Sequence, residues 1–181
     1  MQNVTFCGMP SKVYKVAPKV FAGPELKYKD LKKLKKEGVS LIFDLRPLNF
    51  KSLKSSFVSP FKLIKEKIMC LYLGIKHKKY SIDLTEKMPG KKFFEKLVKK
   101  IDKNKKKIYI HDASGKHEAG FASAAIEIMK EKTPPKQAIQ KMLSRNFWSI
   151  SGSETKAVKK AKIENLQKKL KEFMKLFGVN Y

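Results

Sequence analysis

Cysteine is scarce in this sequence of 181 residues, and long apolar runs are missing from it. Cys7 and Cys70 are the only two thiols, too few for a disulfide scaffold and too isolated for a zinc site. Residues 1–10 contain no apolar core of signal-peptide length, and no run reaches the roughly 18 apolar residues of a membrane span. These absences argue against secretion and membrane spanning, and they predict free thiols in the cytoplasm, the nucleus or a virus particle.

Arginine is equally rare, although the chain is strongly basic. Arg46 and Arg145 stand beside 40 lysines and 16 acidic residues, for a formal net charge of +26. Arginine suits bidentate recognition of phosphates and base edges, whereas lysine is a flexible point charge suited to diffuse attraction. The composition therefore disfavours sequence-specific reading of DNA and predicts an acidic protein or nucleic acid as partner. Lysine-rich coding would produce the same excess, and only clustering of the lysines on one face would separate the two interpretations.

Apolar material is sufficient for a core, with 42% hydrophobic and 10% aromatic residues. The length predicts one domain, which we expect to span residues 1–150, with residues 151–181 forming a C-terminal helix packed on the same domain. Ser151 and Glu154 have the spacing of a capping box that would open this helix. A helix that binds a partner is the alternative.

Strand-like and helix-like segments alternate along the chain. Apolar runs at residues 39–45 and 108–111 predict two buried strands. Helical spacing of apolar residues predicts helices over residues 28–36, from Pro89-Gly90, after Gly120 and from Pro134-Pro135. This alternation predicts an α/β fold with a central, mostly parallel sheet flanked by helices.

A glycine-bearing turn joins the second predicted strand to the helix that follows it. The turn comes directly after His111 and reads Asp112, Ala113, Ser114, Gly115, Lys116, His117, Glu118, Ala119, Gly120. Backbone N–H groups converge at such a turn, and the N-terminus of the helix adds partial positive charge. The local architecture is therefore one that can bind an anion.

The segment from Ile108 to Phe121 resembles the signature loop of the protein tyrosine phosphatase superfamily, especially its dual-specificity branch. That signature reads strand, His-Cys, five residues, Arg, Ser or Thr, Gly, and helix, and His111, Gly115 and Gly120 match it. Residues 38–46 and 133–139 are also similar to segments of the family, so that the resemblance covers about residues 12–145. Asp83 stands near the place of the family's general-acid aspartate.

The loop departs from the signature at the positions that carry its chemistry. Asp112 replaces the nucleophilic cysteine, Glu118 replaces the phosphate-binding arginine, and Ala119 replaces the Ser or Thr. The family's mechanism needs a thiolate of low pKa. One carboxylate about 5 Å from a unit negative charge costs roughly 3 kcal/mol at an effective dielectric constant near 20, so this loop should repel phosphate. The resemblance thus implies a pseudophosphatase without catalytic residues or cofactor, whose loop is an acidic or internally salt-bridged turn.

Three side chains near the loop have more than one interpretation. By the resemblance, His111 braces the loop rather than acting as a base or ligand. His117 could join Asp112, Glu118 and Asp83 around a divalent cation, although neighbours on a tight turn seldom face a common centre. Asp83 is either a relic of the general acid or a helix-entry residue.

Two further residues are expected to be structural. Cys70 lies in the apolar run of residues 68–73 and is expected in the core. Trp148 beside Phe147 is expected to anchor packing, with an aromatic platform for stacking bases as the alternative.

Three functions are compatible with these residues. We expect a catalytically inactive binding or structural protein that acts through its basic surface, and a virion role is an extension by analogy with dual-specificity relatives in large DNA viruses. The second is a hydrolase of altered chemistry that uses Asp112, Glu118 and Asp83 with or without a metal. The third is an adaptor that sequesters the substrate of an active phosphatase. The oligomeric state is left open.

Overall fold

The computed structural model describes residues 12–47, 60–84, 87–150 and 155–180. The strands are β1 (Tyr14–Ala17), β2 (Val20–Gly23), β3 (Val39–Asp44), β4 (Lys76–Lys79) and β5 (Lys107–His111). The helices are α1 (Tyr28–Lys36), α2 (Pro60–Tyr72), α3 (Lys91–Asp102), α4 (Glu118–Met129), α5 (Pro135–Ser144) and α6 (Lys156–Leu176).

The strands form one sheet in the order β1-β2-β5-β3-β4. β1 pairs antiparallel with β2, whereas β2, β5, β3 and β4 run parallel to their neighbours. The register places Gly23, His111, Asp44 and Lys79 in one row across the carboxyl ends of these four parallel strands. Ligand sites of parallel sheets lie at this end, and the loop after β5 starts here.

Two apolar cores cover the two faces of the sheet. The larger contains buried side chains of α3, α4, α5 and α6, and the smaller contains Leu31 and Leu34 of α1 with Cys70 of α2. Because both faces are covered, the central strands are apolar throughout rather than alternating. The expected α/β class with a central, mostly parallel sheet flanked by helices is confirmed.

The predicted helices and strands are present, but α4 has a different character from the one its spacing indicated. The sequence suggested an apolar face on this helix, whereas every residue from Ala119 to Glu127 is buried. A helix covered on all sides lies in the middle of the helical layer, between the sheet and its neighbours. β1, β2, α2 and β4 were not predicted.

The C-terminal helix begins later than the sequence indicated. The predicted capping residues Ser151 and Glu154 lie outside the described residues, and the observed N-cap is Thr155, whose Oγ1 accepts a hydrogen bond from the Val158 N–H at 3.4 Å. Further along α6, Leu166, Leu170 and Phe173 are buried in the larger core. The division of the chain at residue 150 stays a prediction. None of the helices in the described part of the chain is long and apolar enough to cross a bilayer.

Candidate functional site

The loop between β5 and α4 is held against the end of β2. Gly115 has a φ of +78°, and a Cβ atom added there would lie 2.5 Å from the backbone of Gly23 and Pro24. Ser114 forms an isolated antiparallel bridge with Pro24, and the Tyr14 hydroxyl donates to the Gly115 carbonyl at 3.2 Å. Only glycine combines this left-handed conformation with so close a contact, so the path of the loop is fixed by its neighbours.

The carboxylate of Asp112 lies inside the turn, fully buried. Its Oδ1 accepts hydrogen bonds from the N–H groups of Ser114, at 2.7 Å, and Gly115, while Oδ2 accepts from the N–H of Ala119 at 3.0 Å. Ala119 belongs to the first turn of α4, where the helix has N–H groups without intrahelical partners. The donors that make such a turn an anion site are therefore bound to the protein's own carboxylate.

Glu118 lies half-buried at the start of α4, in the position where the signature has arginine. Burial raises the pKa of its carboxyl group well above the ordinary 4.5, and the charge of Asp112, its hydrogen bond with Asp112 and the charge of Asp83 raise it further. The charges of Asp112 and Asp83 thus act on Glu118, and we call these three residues the carboxyl cluster.

The basic side chains of the loop contact residues outside this cluster. The Lys116 ammonium donates to the Ser149 hydroxyl at 2.8 Å, a contact across to another loop. The ring of His117 meets Phe147 edge-on, with centroids 5.7 Å apart, and burial lowers its pKa. Asp112 is therefore stabilised by backbone N–H groups.

His111 lies directly beneath the loop, at the end of β5. It is fully buried, with Nδ1 3.2 Å from the Asp112 carbonyl and Nε2 2.9 Å from Glu66 Oε1. Burial alone would lower the pKa of His111, but the hydrogen bond and charge of Glu66 and the charge of Asp44 outweigh it and raise the pKa. The ring of His111 therefore connects the loop to the charged side chains below it.

Arg46 is the centre of those charges, although only 1% of its side chain is exposed. Its guanidinium donates from Nε and Nη2 to both oxygens of Asp44, at 2.9 and 2.8 Å, contacts Glu66 through Nη2, and lies 2.9 Å from Glu25 through Nη1. The Lys79 ammonium lies 3.0 Å from Asp44. Three carboxylates, those of Asp44, Glu66 and Glu25, thus lie around the basic side chains of Arg46, Lys79 and His111. We call these six residues the buried charge network.

Of the four side chains that could hold a metal, three belong to the buried charge network and the fourth, His77, lies beside it. Among the residues that the structure describes, the group whose ligand atoms lie within 4.8 Å of one another is Asp44, Glu66, His77 and His111. The set considered from the sequence was Asp112, His117, Glu118 and Asp83. In the observed group, Arg46 and Lys79 already contact the carboxylates, so side-chain cations fill the role of an ion.

Sequence reasoning missed Arg46, although a signal existed. A chain with 40 lysines has only two arginines, and both contact a buried carboxylate: Arg46 as described, and Arg145 through Nη2 to Glu127 at 2.9 Å. Arg145 also lies over the Tyr14 ring, 4.5 Å from its centroid. At Arg46 the planar fork that lysine lacks contacts both oxygens of Asp44. In a lysine-rich sequence, a retained arginine is therefore informative.

Cys70 and Trp148 lie away from the loop's chemistry. Cys70 is fully buried, and burial raises the pKa of its thiol to about 12, which removes it as a nucleophile. Trp148 is half-buried against the larger core and meets Phe147 edge-on at 5.0 Å. Its contacts are those of a packing residue.

Comparison with known proteins gives a match in structure alone. No protein-family model matches the sequence, and no curated protein matches it either. Several solved structures share the fold. The active form of Tk-PTP is 12% identical, with a TM-score of 0.62 over 92% of this chain and 99% of that chain.

Two further structures give the same result from other sources. TpbA of P. aeruginosa is 9% identical, with a TM-score of 0.63 over 91% of this chain and 87% of that chain. The core catalytic domain of the PP-IP phosphatase SIW14 of S. cerevisiae is 13% identical, with a TM-score of 0.59 over 96% of this chain and 98% of that chain. The chain therefore has the fold of the protein tyrosine phosphatases.

Proposed function

We propose that this protein is a catalytically inactive member of the phosphatase fold that acts as a binding protein through its lysine-rich surface. The observation that carries the proposal is the buried carboxylate of Asp112, bound by the N–H groups of Ser114, Gly115 and Ala119. A catalytic loop of this fold must leave those donors open for a phosphoryl group. Here the protein itself supplies the anion.

The side chains of the loop also lack the chemistry of phosphoryl transfer. The carboxylate of Asp112 is a poor nucleophile toward phosphorus, and both of its oxygens accept hydrogen bonds from the backbone. Glu118 cannot supply the bidentate donor fork that grips phosphate, and the Ala119 methyl group cannot donate a proton. Each replacement would slow the reaction, and the three together support a protein without turnover.

Binding of phosphate would require displacement of Asp112 from its donors. Each charge-assisted hydrogen bond contributes about 1.5–3 kcal/mol, and the three backbone donors act on one carboxylate. A phosphate that approached without displacing it would meet a like charge, at roughly 3 kcal/mol for 5 Å. Either route makes the loop a weak phosphate site.

Turnover assays test the inactivity directly. The full chain is assayed with an aryl phosphate, a phosphopeptide and RNA 5′-triphosphate, beside Asp112→Ala as the matched control. We expect the two proteins to give the same background rate. A rate in the wild-type chain that Asp112→Ala abolishes would overturn the proposal. A triple variant, Asp112→Cys with Glu118→Arg and Ala119→Ser, tests the scaffold, and activity there but not in Asp112→Cys alone shows that the fold still positions the family's groups.

The proposed partner is an acidic protein or nucleic acid, attracted by the net charge of +26. A role in a virus particle extends this by analogy alone. Titration with RNA, duplex DNA and poly-glutamate at rising salt measures the affinity and its salt dependence for each. Absence of binding to all three at physiological salt would refute this part of the proposal.

A hydrolase of altered chemistry is the second candidate, favoured by the raised pKa of Glu118 beside Asp112. A carboxyl group of raised pKa beside a second carboxyl group is an arrangement that general acid–base catalysis uses. This candidate predicts hydrolysis that Glu118→Gln abolishes, with or without added Mg²⁺, Mn²⁺ or Zn²⁺. If none of the three ions binds by calorimetry, the metal version fails.

A further inference from the structure

Helix α2 carries an apolar surface that does not face the core. Its five large side chains are between 53% and 83% exposed, and they are Phe61, Ile64, Ile68, Leu71 and Tyr72. At 100° per residue these positions fall within one arc of the helix. We call them the α2 stripe. Single exposed apolar residues are common on proteins, but a continuous stripe marks an interaction surface.

The opposite side of α2 is the one that packs on the protein. Glu66 and Cys70 are buried there, at 1% and 0% exposure, and the carboxylate of Glu66 belongs to the buried charge network. The orientation of the helix is therefore fixed by its inner side. The α2 stripe faces outward because the inner side is already occupied.

Lysines border the α2 stripe on both sides. In helical geometry Lys62 and Lys65 lie on one side of the arc and Lys67 on the other. Helix α1 lies beside the end of α2, because Tyr28 contacts Tyr72 with ring centroids 6.3 Å apart and Lys35 donates to the Gly74 carbonyl at 3.0 Å. Helix α1 also carries exposed lysines, and they are Lys29, Lys32, Lys33, Lys35 and Lys36.

We propose that the α2 stripe and its lysine border dock on the surface of an anionic lipid bilayer. The stripe enters the boundary between headgroups and acyl chains, and the lysines contact the negative headgroups. The docking does not depend on whether the loop after β5 is inactive. The docking proposal adds a lipid surface to the partners of the proposed function, and it names α2 as the helix that binds that surface.

Charge and polarity together favour a bilayer over other occupants. A nucleic acid would meet the lysines but would leave the stripe in water. A second copy of the chain, related by two-fold symmetry, would bring like-charged borders together. A bilayer with anionic headgroups presents negative charge at its surface and apolar chains beneath, which matches both features at once.

Vesicle binding by the full chain tests the proposal. Flotation with phosphatidylcholine vesicles, and with vesicles that also contain phosphatidylserine, measures the partition coefficient. We expect strong binding only with phosphatidylserine, and hydrogen exchange should then slow in residues 61–72. Ile68→Ser with Leu71→Ser should lower the coefficient by about tenfold or more, because two apolar side chains no longer enter the bilayer. Both side chains are exposed, so urea unfolding should match the wild type.

Two matched controls separate docking by α2 from general adhesion of a basic protein. Val158→Ser removes an exposed apolar side chain from α6 and should leave vesicle binding unchanged. Replacing Lys62, Lys65 and Lys67 by Gln should weaken binding by roughly fivefold per lysine, whereas the same change at Lys156, Lys160 and Lys168 of α6 should have little effect.

Three results would overturn the proposal. The first is an equal loss of vesicle binding in the α2 and α6 lysine variants, with no effect of Ile68→Ser and Leu71→Ser. That result would mean that the protein adheres to vesicles through its net charge alone. The second is a stripe-dependent dimer in analytical ultracentrifugation without stripe-dependent vesicle binding. The third is stripe-dependent binding of an acidic polypeptide but not of vesicles. None of these results bears on turnover by the loop.

Discussion

Replacing Arg46 by lysine tests whether the buried charge network needs a guanidinium or only a positive charge. The guanidinium contacts Asp44 through two nitrogens, and also Glu66 and Glu25. A lysine ammonium donates from a single atom and cannot face three carboxylates in different directions. Glu25 is 33% exposed, so water replaces part of its contact, but Asp44 and Glu66 are buried.

The expected cost follows from the carboxylate left without its cation. Breaking a buried ion pair by removal of one partner costs about 3–5 kcal/mol, and we expect Arg46→Lys to lower the free energy of unfolding by that amount. Urea unfolding followed by circular dichroism measures it. Arg145→Lys is the matched control, since Arg145 is 22% exposed and its partner Glu127 also lies 3.5 Å from Lys141. It should cost about 1 kcal/mol. An equal loss of unfolding free energy in the two variants, or a smaller loss in Arg46→Lys than in Arg145→Lys, would refute the reasoning.

Two further predictions concern the loop. Glu118→Gln should become more stable relative to the wild type as pH rises from about 4 to about 8. The reason is that the wild-type protein loses stability above pH 4.5, because the pKa of Glu118 is higher in the folded state than in the unfolded chain. Urea unfolding at both ends of this range measures the difference, and a parallel pH dependence of the two proteins would contradict the prediction. Gly115→Ala should lower the free energy of unfolding more than Gly178→Ala does, since both glycines have positive φ but only a Cβ at residue 115 meets backbone at 2.5 Å. Gly178→Ala should cost roughly 1–2 kcal/mol for conformation alone. Equal costs in urea unfolding would show that the contact with β2 does not fix the loop.

Much of the fold could be predicted because its central strands and helices carry strong local patterns. The apolar runs at residues 39–45 and 108–111 identified β3 and β5, and the spacing of Leu31 and Leu34 identified α1. The short β1 and β2 have too few residues to show a period. β4 is an edge strand of alternating exposed lysines, and lysine in such a place protects an edge without giving an apolar signal.

The candidate site could be predicted in identity but not in geometry. The resemblance located the loop, because the glycine spacing and the strand before it can be read in the sequence. That Asp112 would turn inward onto three N–H groups depends on the path of the backbone, which Gly23 and Pro24 constrain from a distant part of the chain. The partners of Arg46 likewise come from separate segments, 20 residues apart for Glu66.

The most direct test of the central claim is a phosphate titration followed by amide resonances of Ser114, Gly115 and Ala119 in the full chain. If the carboxylate of Asp112 fills the anion site, these three resonances should not shift on addition of inorganic phosphate. In Asp112→Ala the same resonances should shift and saturate, because the donors are released. Saturable shifts of all three amides in the wild-type chain would contradict the account.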